Sequence, residues 1–373
     1  MSDFKISLAK LQQIAKERTV RTQNIEYDLE TLVKKIERKI IKLDPEYQRK
    51  HRWTEEMSSK LIESLILNIP VPTVYLSQDL DVDEEEDDIS RYSVIDGQQR
   101  LTAIYNFMKN EMALSGMDVL DELNGCYYRD LPPFLIRRLE ERTIKCLRID
   151  STIDPQVKYD IFERLNSGAV RLEAQELRNA IYRGPFNALI KELAKDQNFM
   201  KLNQINPKQV SKSKKVQKME DVELVLRFFA LQNNCYKELK GGFKHFLSER
   251  MAKLNNTSEI EIMEFKNKFH KIMALIIENF GEEAFAKYKV SFNDKSKVQM
   301  SKFNAAVYDA LSIALADEIN FEDPKLPVNF KENFLALFND SGFFDSVSGS
   351  VNDRKKVIYR IDAVKELFHN ETR

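Results

Sequence analysis

The stretch SVIDGQQRLTAI, Ser93–Ile104, decides how the first half of the chain folds. Residues up to Asp96 favour a strand, Gly97 permits a tight turn, and a helix is expected from Gln98 or Gln99. The first amides of a helix have no partner inside it and favour an anion in front of them. Arg100 adds a fork-shaped set of donors that suits phosphate. The stretch therefore predicts a phosphate or nucleotide site at a strand-to-helix turn.

A simpler interpretation stays open for the same residues. Asp96 can cap the helix N-terminus while Arg100 pairs with a surface acid, in which case the turn binds nothing. Two adjacent glutamines followed by an arginine are harder to explain by packing alone.

Outward from this turn, the pattern is mixed α and β before residue 155 and helical after it. Strands are expected at Val71–Leu76, Arg91–Ile95 and Thr143–Ile149. The apolar rhythm of Asn24–Lys42 predicts a helix that passes into a short strand, and Thr54 is a good N-cap for the next helix. Beyond Pro155 nearly every segment has helical spacing, Glu282–Lys289 included. The fold class expected is α+β, a small mixed sheet with helices followed by a mostly α-helical region.

Three parts of the chain are expected. Residues 1–183 form the mixed domain that carries the strand-to-helix turn, and residues 219–373 form a helical domain. Residues 184–218 are expected to connect them, because Lys208–Lys218 holds five lysines without apolar periodicity.

Composition excludes several classes of protein. The 373 residues include 58 Lys and Arg against 59 Asp and Glu, so a generally basic nucleic-acid-binding protein is excluded, although a local basic face is not. The three cysteines, Cys126, Cys146 and Cys235, are widely spaced and give no disulfide framework and no CxxC site. No signal-peptide pattern and no apolar run of about 18 residues occurs, so a cytoplasmic location is expected.

A second segment, LDPEYQRKHRW, combines basic and aromatic residues at Leu43–Trp53. Gln48, Arg49 and the following basic residues suit phosphate contacts, and Trp53 suits base stacking. The alternative is that the aromatic residues are core anchors and the basic residues face water. The segment supports the turn at Gly97 only if the fold brings Arg49 near Arg100.

A third segment, IFERLNSGAVRL, lies at Ile161–Leu172. Its pattern is typical of a helix that ends at Asn166 and is followed by a Ser-Gly turn. Asn166 and Ser167 are also able to line a ligand pocket.

In this order the segments PEYQR…W, VIDGQQRLTAI and FERLNSG…L…ELRNAI resemble the N-terminal domain of GmrSD-type restriction proteins, which has a ParB/sulfiredoxin-like core. The likeness covers roughly residues 25–250, and DGQQR is its most specific element. The resemblance implies a role in bacterial defence against phage and other foreign DNA. It also implies a domain that binds and hydrolyses a nucleoside triphosphate (NTP) at the DGQQR turn.

Carried over position by position, the resemblance nominates the following nucleotide-binding residues: Asp96, Gly97, Gln98, Gln99 and Arg100, with Gln48, Arg49 and Asn166 as weaker nominations. Catalysis is expected from Asp96, Gln99 and Arg100. Arg100 and the helix amides neutralise phosphate oxygens, while Asp96 or Gln99 orients the attacking water or a Mg²⁺ ion.

One departure from the family concerns cleavage of DNA. Many relatives carry a His-Asn-His nuclease domain after the helical part, and that chemistry needs histidines that activate water and bind a metal. This chain has four histidines, and none pairs at short spacing with another histidine or a carboxylate cluster. We therefore expect that the chain lacks this module and that any cleavage belongs to a separate nuclease partner or to an unrecognised activity of the N-terminal domain.

The favoured function is an NTP-dependent sensor or regulatory subunit that acts on or near DNA. The alternatives are a non-enzymatic ParB-like DNA-binding adaptor and a stand-alone ParB-like nuclease. DNA contacts are expected from the following basic residues: Lys50, Arg52, Lys212, Lys214 and Lys215.

Overall fold

The computed structural model describes residues 22–43, 53–78, 92–149, 157, 159–161, 163, 173–290 and 297–369. The chain forms two compact units, 1–171 and 172–373. The first is α+β and the second is mostly helical, which confirms the expected fold class. Within the part of the chain that is described, no helix has both the length and the apolar character needed to cross a membrane.

The first unit is built on a mixed five-stranded sheet in the order β1-β5-β3-β4-β2. Its strands are β1 Thr22–Asp28, β2 Ile41–Lys42, β3 Val74–Gln78, β4 Tyr92–Asp96 and β5 Thr143–Ile149. The pairs β1/β5 and β3/β4 are antiparallel, whereas β3/β5 and β2/β4 are parallel. In register, Ile41 lies beside Tyr92 and Tyr75 lies beside Asp96.

Four helices accompany the sheet: α1 Leu29–Glu37, α2 Glu55–Ile66, α3 Gln98–Met108 and α4 Pro133–Glu140. Side-chain caps fix two of their starts. Asp28 accepts a hydrogen bond from the Thr31 amide at 2.6 Å, and Thr54 accepts one from Met57 at 3.2 Å. Thr54 is thus the N-cap that the sequence predicted. The inner faces of these helices share one apolar core with β3 and β5.

The second unit contains eleven helices among its described residues. They are α5 Ala174–Ile181, α6 Pro185–Leu193, α7 Gln197–Leu202, α8 Lys214–Gln217, α9 Glu220–Leu231, α10 Phe243–Leu254, α11 Glu259–Phe280, α12 Ala305–Glu318, α13 Phe330–Ala336, α14 Ser341–Ser346 and α15 Arg354–His369. Edge-to-face phenylalanine pairs fill its centre, for example Phe228 with Phe269 at 5.1 Å between ring centroids.

A buried ionic cluster ties three helices of the second unit together. Asp309, wholly inside α12, accepts hydrogen bonds from Arg227 of α9, with Nε 2.9 Å from Oδ1, and from Arg360 of α15, with Nη2 2.5 Å from Oδ2. Arg360 also donates to the carbonyl oxygens of Ser346 and Val351. One carboxylate thus holds two guanidinium groups within the core.

Two segments differ from the pattern-based expectation. Thr22–Asp28 is a strand, although a helical rhythm was expected from Asn24. Residues 287–290 form β6, Lys287–Val290, which pairs with β7, Lys297–Ser301, so the helix expected at Glu282–Lys289 is wrong there. The alternation of lysine with Tyr288 and Val290 is a period of two, which suits a strand.

The lysine-rich stretch also has structure of its own. A 3₁₀ helix covers Pro207–Lys212, and α8 follows. In the segment expected as a connection, 184–218, helices α6 and α7 bury Phe186, Leu189 and Phe199 in the second unit.

Candidate functional site

The turn between β4 and α3 requires glycine. Gly97 has φ +100° and ψ 7°, a left-handed conformation that side chains disfavour. A Cβ atom at this position would lie 2.9 Å from Cγ2 of Val74, which is fully buried. Both the dihedral angle and the close approach to β3 therefore explain the glycine of the DGQQR segment.

Three chain segments converge at this edge of the sheet. Because β2 and β4 are parallel neighbours, both deliver the chain to the edge where Asp96 lies. Because β3 is antiparallel to β4, its start lies at the same edge, preceded by Pro72 and Thr73. We call this edge, with Asp96–Arg100, Pro72 and Thr73, the β4–α3 corner.

Helix α3 begins without a side-chain cap among the described residues. Gly97 precedes it, and the first amide with a main-chain partner across the turn is Leu101, which donates to the Gly97 carbonyl at 2.9 Å. Gln98 is the first residue of α3, and Nε2 of its side chain is buried and has no hydrogen-bond partner in the described part of the chain. A buried donor without an acceptor costs free energy, so this amide is suited to a ligand oxygen.

Arg100 is held by its own unit. Its Nη2 donates to Oδ2 of Asp96 at 2.8 Å, and its Nη1 donates to the carbonyl oxygens of Pro72 and, at 3.3 Å, Thr73. The Arg100 side chain is 11% exposed, and that of Asp96 is 41% exposed. The guanidinium thus fastens the turn to the segment before β3, while the carboxylate keeps one face toward solvent.

Cys146 of β5 lies next to this corner, in register with Val74. Burial raises the pKa of its thiol to about 12, and the positive charge of Arg100 lowers that pKa only in part. The thiol is therefore protonated at neutral pH and acts as a small apolar side chain.

The second sequence segment ends at the corner. The main-chain N–H of Trp53 donates to Oε1 of Gln99 at 3.4 Å, and Trp53 packs against the core of the first unit. At the other end of the segment, Leu43 is buried in the same core. Four residues nominated between these anchors, Gln48, Arg49, Lys50 and Arg52, lie outside the described residues, as does Asn166 of the third segment.

The three lysines nominated for DNA differ from one another. Lys212 and Lys214 are exposed. Lys215 is half-buried: its Nζ donates to the carbonyl of Asn203 at 2.8 Å and lies 4.1 Å from the ring centroid of Phe303. Desolvation lowers the Lys215 pKa, and its contacts make it a packing residue of the second unit.

The ELRNAI segment of α5 proves to be structural in its described side chains. Arg178 is fully buried and donates to Ser248 at 3.2 Å and to Glu223 at 2.9 Å. Asn179 accepts a hydrogen bond from Asn187 at 2.9 Å. These polar residues anchor helices of the second unit to one another.

No group of three or more His, Cys, Asp or Glu side chains that could hold a metal occurs in the described ranges. Three histidines each lie beside a carboxylate: His245 is 3.3 Å from Glu249, His270 is 2.8 Å from Asp196, and His369 is 3.2 Å from Glu318. None of the three pairs belongs to a metal-binding group in the described ranges.

The sequence did not indicate that main-chain oxygens bind Arg100. The carbonyl groups of Pro72 and Thr73 lie 28 and 27 positions away along the chain. Only the antiparallel pairing of β3 with β4 brings them to the corner.

Among the described residues, a mixed sheet, a helix N-terminus without a side-chain cap, a glycine turn and an Asp–Arg pair with a half-exposed carboxylate define the class of protein. It is an α+β domain with a polar strand-to-helix corner. Residues 29–183 match the family model of the GmrSD restriction endonuclease, N-terminal domain, and this part of the chain belongs to that family. Comparison with curated proteins and with solved structures gave no match. The predicted resemblance to this family is thereby confirmed over residues 29–183.

Proposed function

We propose that this chain is an NTP-binding and NTP-hydrolysing component of a bacterial restriction or anti-phage defence system. The family match supports a role connected with restriction, because the matched domain is that of a restriction endonuclease. The β4–α3 corner supports nucleotide binding, because it combines uncapped helix amides with an unpartnered side-chain donor.

The observation that carries this proposal is the start of α3, which has no side-chain cap among the described residues and whose first residue, Gln98, has a side-chain Nε2 without a described hydrogen-bond partner. Phosphate oxygens supply acceptors for several donors at once, and the positive end of the helix favours their charge. The β- or γ-phosphate of the nucleotide therefore binds in front of residues 98–100. Gly97 supplies the left-handed turn from which the amides of α3 start.

Asp96 and Arg100 divide the remaining work at the corner. The described hydrogen bonds of Arg100 go to Asp96 and to two carbonyl oxygens. Arg100 therefore positions the turn and adds positive charge behind the turn. Oδ1 of Asp96 has no partner among the described residues, and the side chain is half-exposed. This oxygen is available to orient the attacking water.

Magnesium fits this donor set. Mg²⁺ in NTP sites is held by one or two carboxylates together with phosphate oxygens, and Asp96 provides one such carboxylate. When bound, the ion neutralises charge on the phosphates. Gln99 is the second candidate for orienting water, and its Oε1 is fixed by the Trp53 amide.

We further propose that DNA cleavage belongs to a separate nuclease subunit. The supporting observation is that each of the three described histidines is paired with a carboxylate, outside the β4–α3 corner. The chain then senses or regulates while its partner cuts.

A phosphate-release screen of the four NTPs with Mg²⁺, with and without DNA, tests the proposal. Gln98→Ala and Asp96→Asn are expected to lower the rate at least about tenfold, which corresponds to one lost transition-state contact. Gln23→Ala is the matched control, because Gln23 is exposed on β1. Thermal unfolding of each variant shows whether the fold is retained.

Two results would contradict the proposal. One is wild-type protein that neither binds nor hydrolyses any NTP, which leaves a DNA-binding adaptor. The other is equal loss of rate in Gln23→Ala and Gln98→Ala. Nicking of a plasmid by the purified chain alone would overturn the assignment of cleavage to a partner.

A further inference from the structure

The second unit contains a pocket of about 640 Å³ at the start of α10. Its walls come from the 3₁₀ turn Cys235–Glu238, from Gly241 and from one face of α10. Gly241 has φ +69°, and a Cβ there would lie 3.0 Å from the ring of His245, so the turn closes tightly over the helix. We call this cavity the α10 pocket.

The α10 pocket has an excess of positive charge. Lys240, Arg250 and Lys253 line it, and none of them forms an ion pair with a described residue. Nε of Arg250 is buried and has no hydrogen-bond partner within the described ranges. The three cations repel one another because none of them is paired with a described carboxylate, and an anionic ligand relieves this repulsion.

The acidic residues at the pocket are fewer and partly engaged. Glu249 pairs with His245 at 3.3 Å, and Glu238 is the other carboxylate on the wall. Lys237 adds a further cation but lies 3.4 Å from Asp362, which partly neutralises it. Unpaired positive charge therefore dominates.

The pocket has no exposed aromatic surface on which a base could stack. Phe246 is the one phenylalanine, tyrosine or tryptophan in its lining, and it is 3% exposed. Base recognition in single strands depends on such aromatic platforms. The chemistry of the pocket is therefore that of phosphate groups, which carry no sequence information.

We propose that the α10 pocket binds backbone phosphates of DNA without reading its sequence. The proposal rests on the proposed function, because a restriction component acts at DNA. It assigns the contact to Lys240, Arg250 and Lys253 of the helical unit.

Fluorescence anisotropy with a short DNA duplex tests this assignment in the full chain. The double variant Lys240→Gln/Lys253→Gln is expected to bind at least about tenfold more weakly and to lower the salt dependence of log K by about two units, one per lost phosphate contact. Lys195→Gln/Lys271→Gln is the matched control, because it removes the same charge from two exposed lysines of the second unit that do not line the pocket.

The assignment of DNA binding to the α10 pocket is wrong if both double variants lose DNA affinity equally or if only the control variant loses it. Competition with free NTP distinguishes two sources of phosphate, DNA and nucleotide. If a low concentration of NTP displaces DNA from the wild-type protein but not from the pocket variant, the pocket is a nucleotide site and the proposal is overturned. Unchanged thermal unfolding shows that neither variant is misfolded.

The two proposals fail separately in the wild-type protein. If the chain binds DNA through the pocket but hydrolyses no NTP, the proposed function is wrong and the assignment of DNA binding to the α10 pocket stands. If the chain hydrolyses NTP but does not bind DNA, only the assignment of DNA binding to the α10 pocket is wrong.

Discussion

An arginine meets an aspartate in each unit, and the two arrangements differ in what surrounds the carboxylate. Asp309 is fully buried and is shared by Arg227 and Arg360. Asp96 pairs with Arg100 through one oxygen, and 41% of its side chain is exposed. The same two functional groups therefore form a closed cluster in the second unit and an open one in the first.

The difference separates a role in stability from a role in binding. At Asp309 both carboxylate oxygens accept hydrogen bonds, so the cluster has no oxygen left for a ligand. At the β4–α3 corner, Oδ1 of Asp96 and the side-chain Nε2 of Gln98 lack hydrogen-bond partners among the described residues. The free oxygen of the half-exposed Asp96 is open to a ligand, whereas both oxygens of Asp309 are occupied. Nε of Arg360 in the closed cluster is also buried without a described partner, so the carboxylate oxygens are what distinguish the two sites.

Removal of the closed cluster's carboxylate should give the largest effect. Asp309→Ala leaves two buried guanidinium groups without a counter-ion, and it is expected to lower the free energy of unfolding by about 3–5 kcal/mol. Urea unfolding followed by circular dichroism measures this. Asp323→Ala is the control, because Asp323 pairs with Lys325 at the surface, where a salt bridge contributes at most about 1 kcal/mol.

Equal stability of Asp309→Ala and Asp323→Ala would contradict the comparison, because it would mean that the buried cluster is not structural. If Asp309→Ala does not fold, Asp309→Asn keeps the volume and the hydrogen-bonding oxygen and should unfold at an intermediate urea concentration.

A smaller effect is expected from closing the open corner. Gly97→Ala adds a Cβ at φ +100° and places it 2.9 Å from Val74. The strain and the contact together should cost about 2–3 kcal/mol and abolish nucleotide binding. Gly125→Ala is a matched control: its φ is +88°, but no atom lies within 4 Å of the added Cβ.

The pair of glycine variants thus isolates the contact from the dihedral strain. Gly125→Ala should lose about 1 kcal/mol and leave nucleotide binding unchanged. If Gly97→Ala loses no more stability than Gly125→Ala and still binds nucleotide, close approach of the main chain is not what the corner requires. Thermal unfolding and nucleotide titration supply both readouts.

Local chemistry explains which parts of this comparison the sequence could predict. The strand, turn and helix around Gly97 follow from neighbouring residues, and β4 and α3 lie where they were expected. The strand predicted at Thr143–Ile149 is confirmed for the same reason, because its alternation is local. The caps and starts of helices likewise depend on a few adjacent positions.

What the sequence could not predict depends on contacts distant along the chain. The three members of the closed cluster come from α9, α12 and α15, and nothing local marks Asp309 as their meeting point. The hydrogen bonds from Arg100 to the carbonyl oxygens of Pro72 and Thr73 depend on the pairing of β3 with β4. Lys215 could not be told from its exposed neighbour Lys214, because its ring and carbonyl contacts come from other segments.

The smallest effect concerns Cys146, whose reactivity reports whether Arg100 holds the turn at Gly97 in place. Because burial raises its pKa to about 12, few of these thiols are ionised at pH 8, and only the thiolate reacts with iodoacetamide. We expect mass spectrometry to show Cys126 labelled much faster, since Cys126 is half-buried rather than buried. Arg100→Lys, which keeps the charge but loses the fork between Asp96 and the carbonyl oxygens, should loosen the corner and speed labelling of Cys146 by a few-fold. Cys235, in the second unit, is the internal reference and should label at one rate in both proteins. Unchanged labelling of Cys146 in Arg100→Lys would mean that the guanidinium does not hold the turn, which would return Arg100 to direct contact with phosphate.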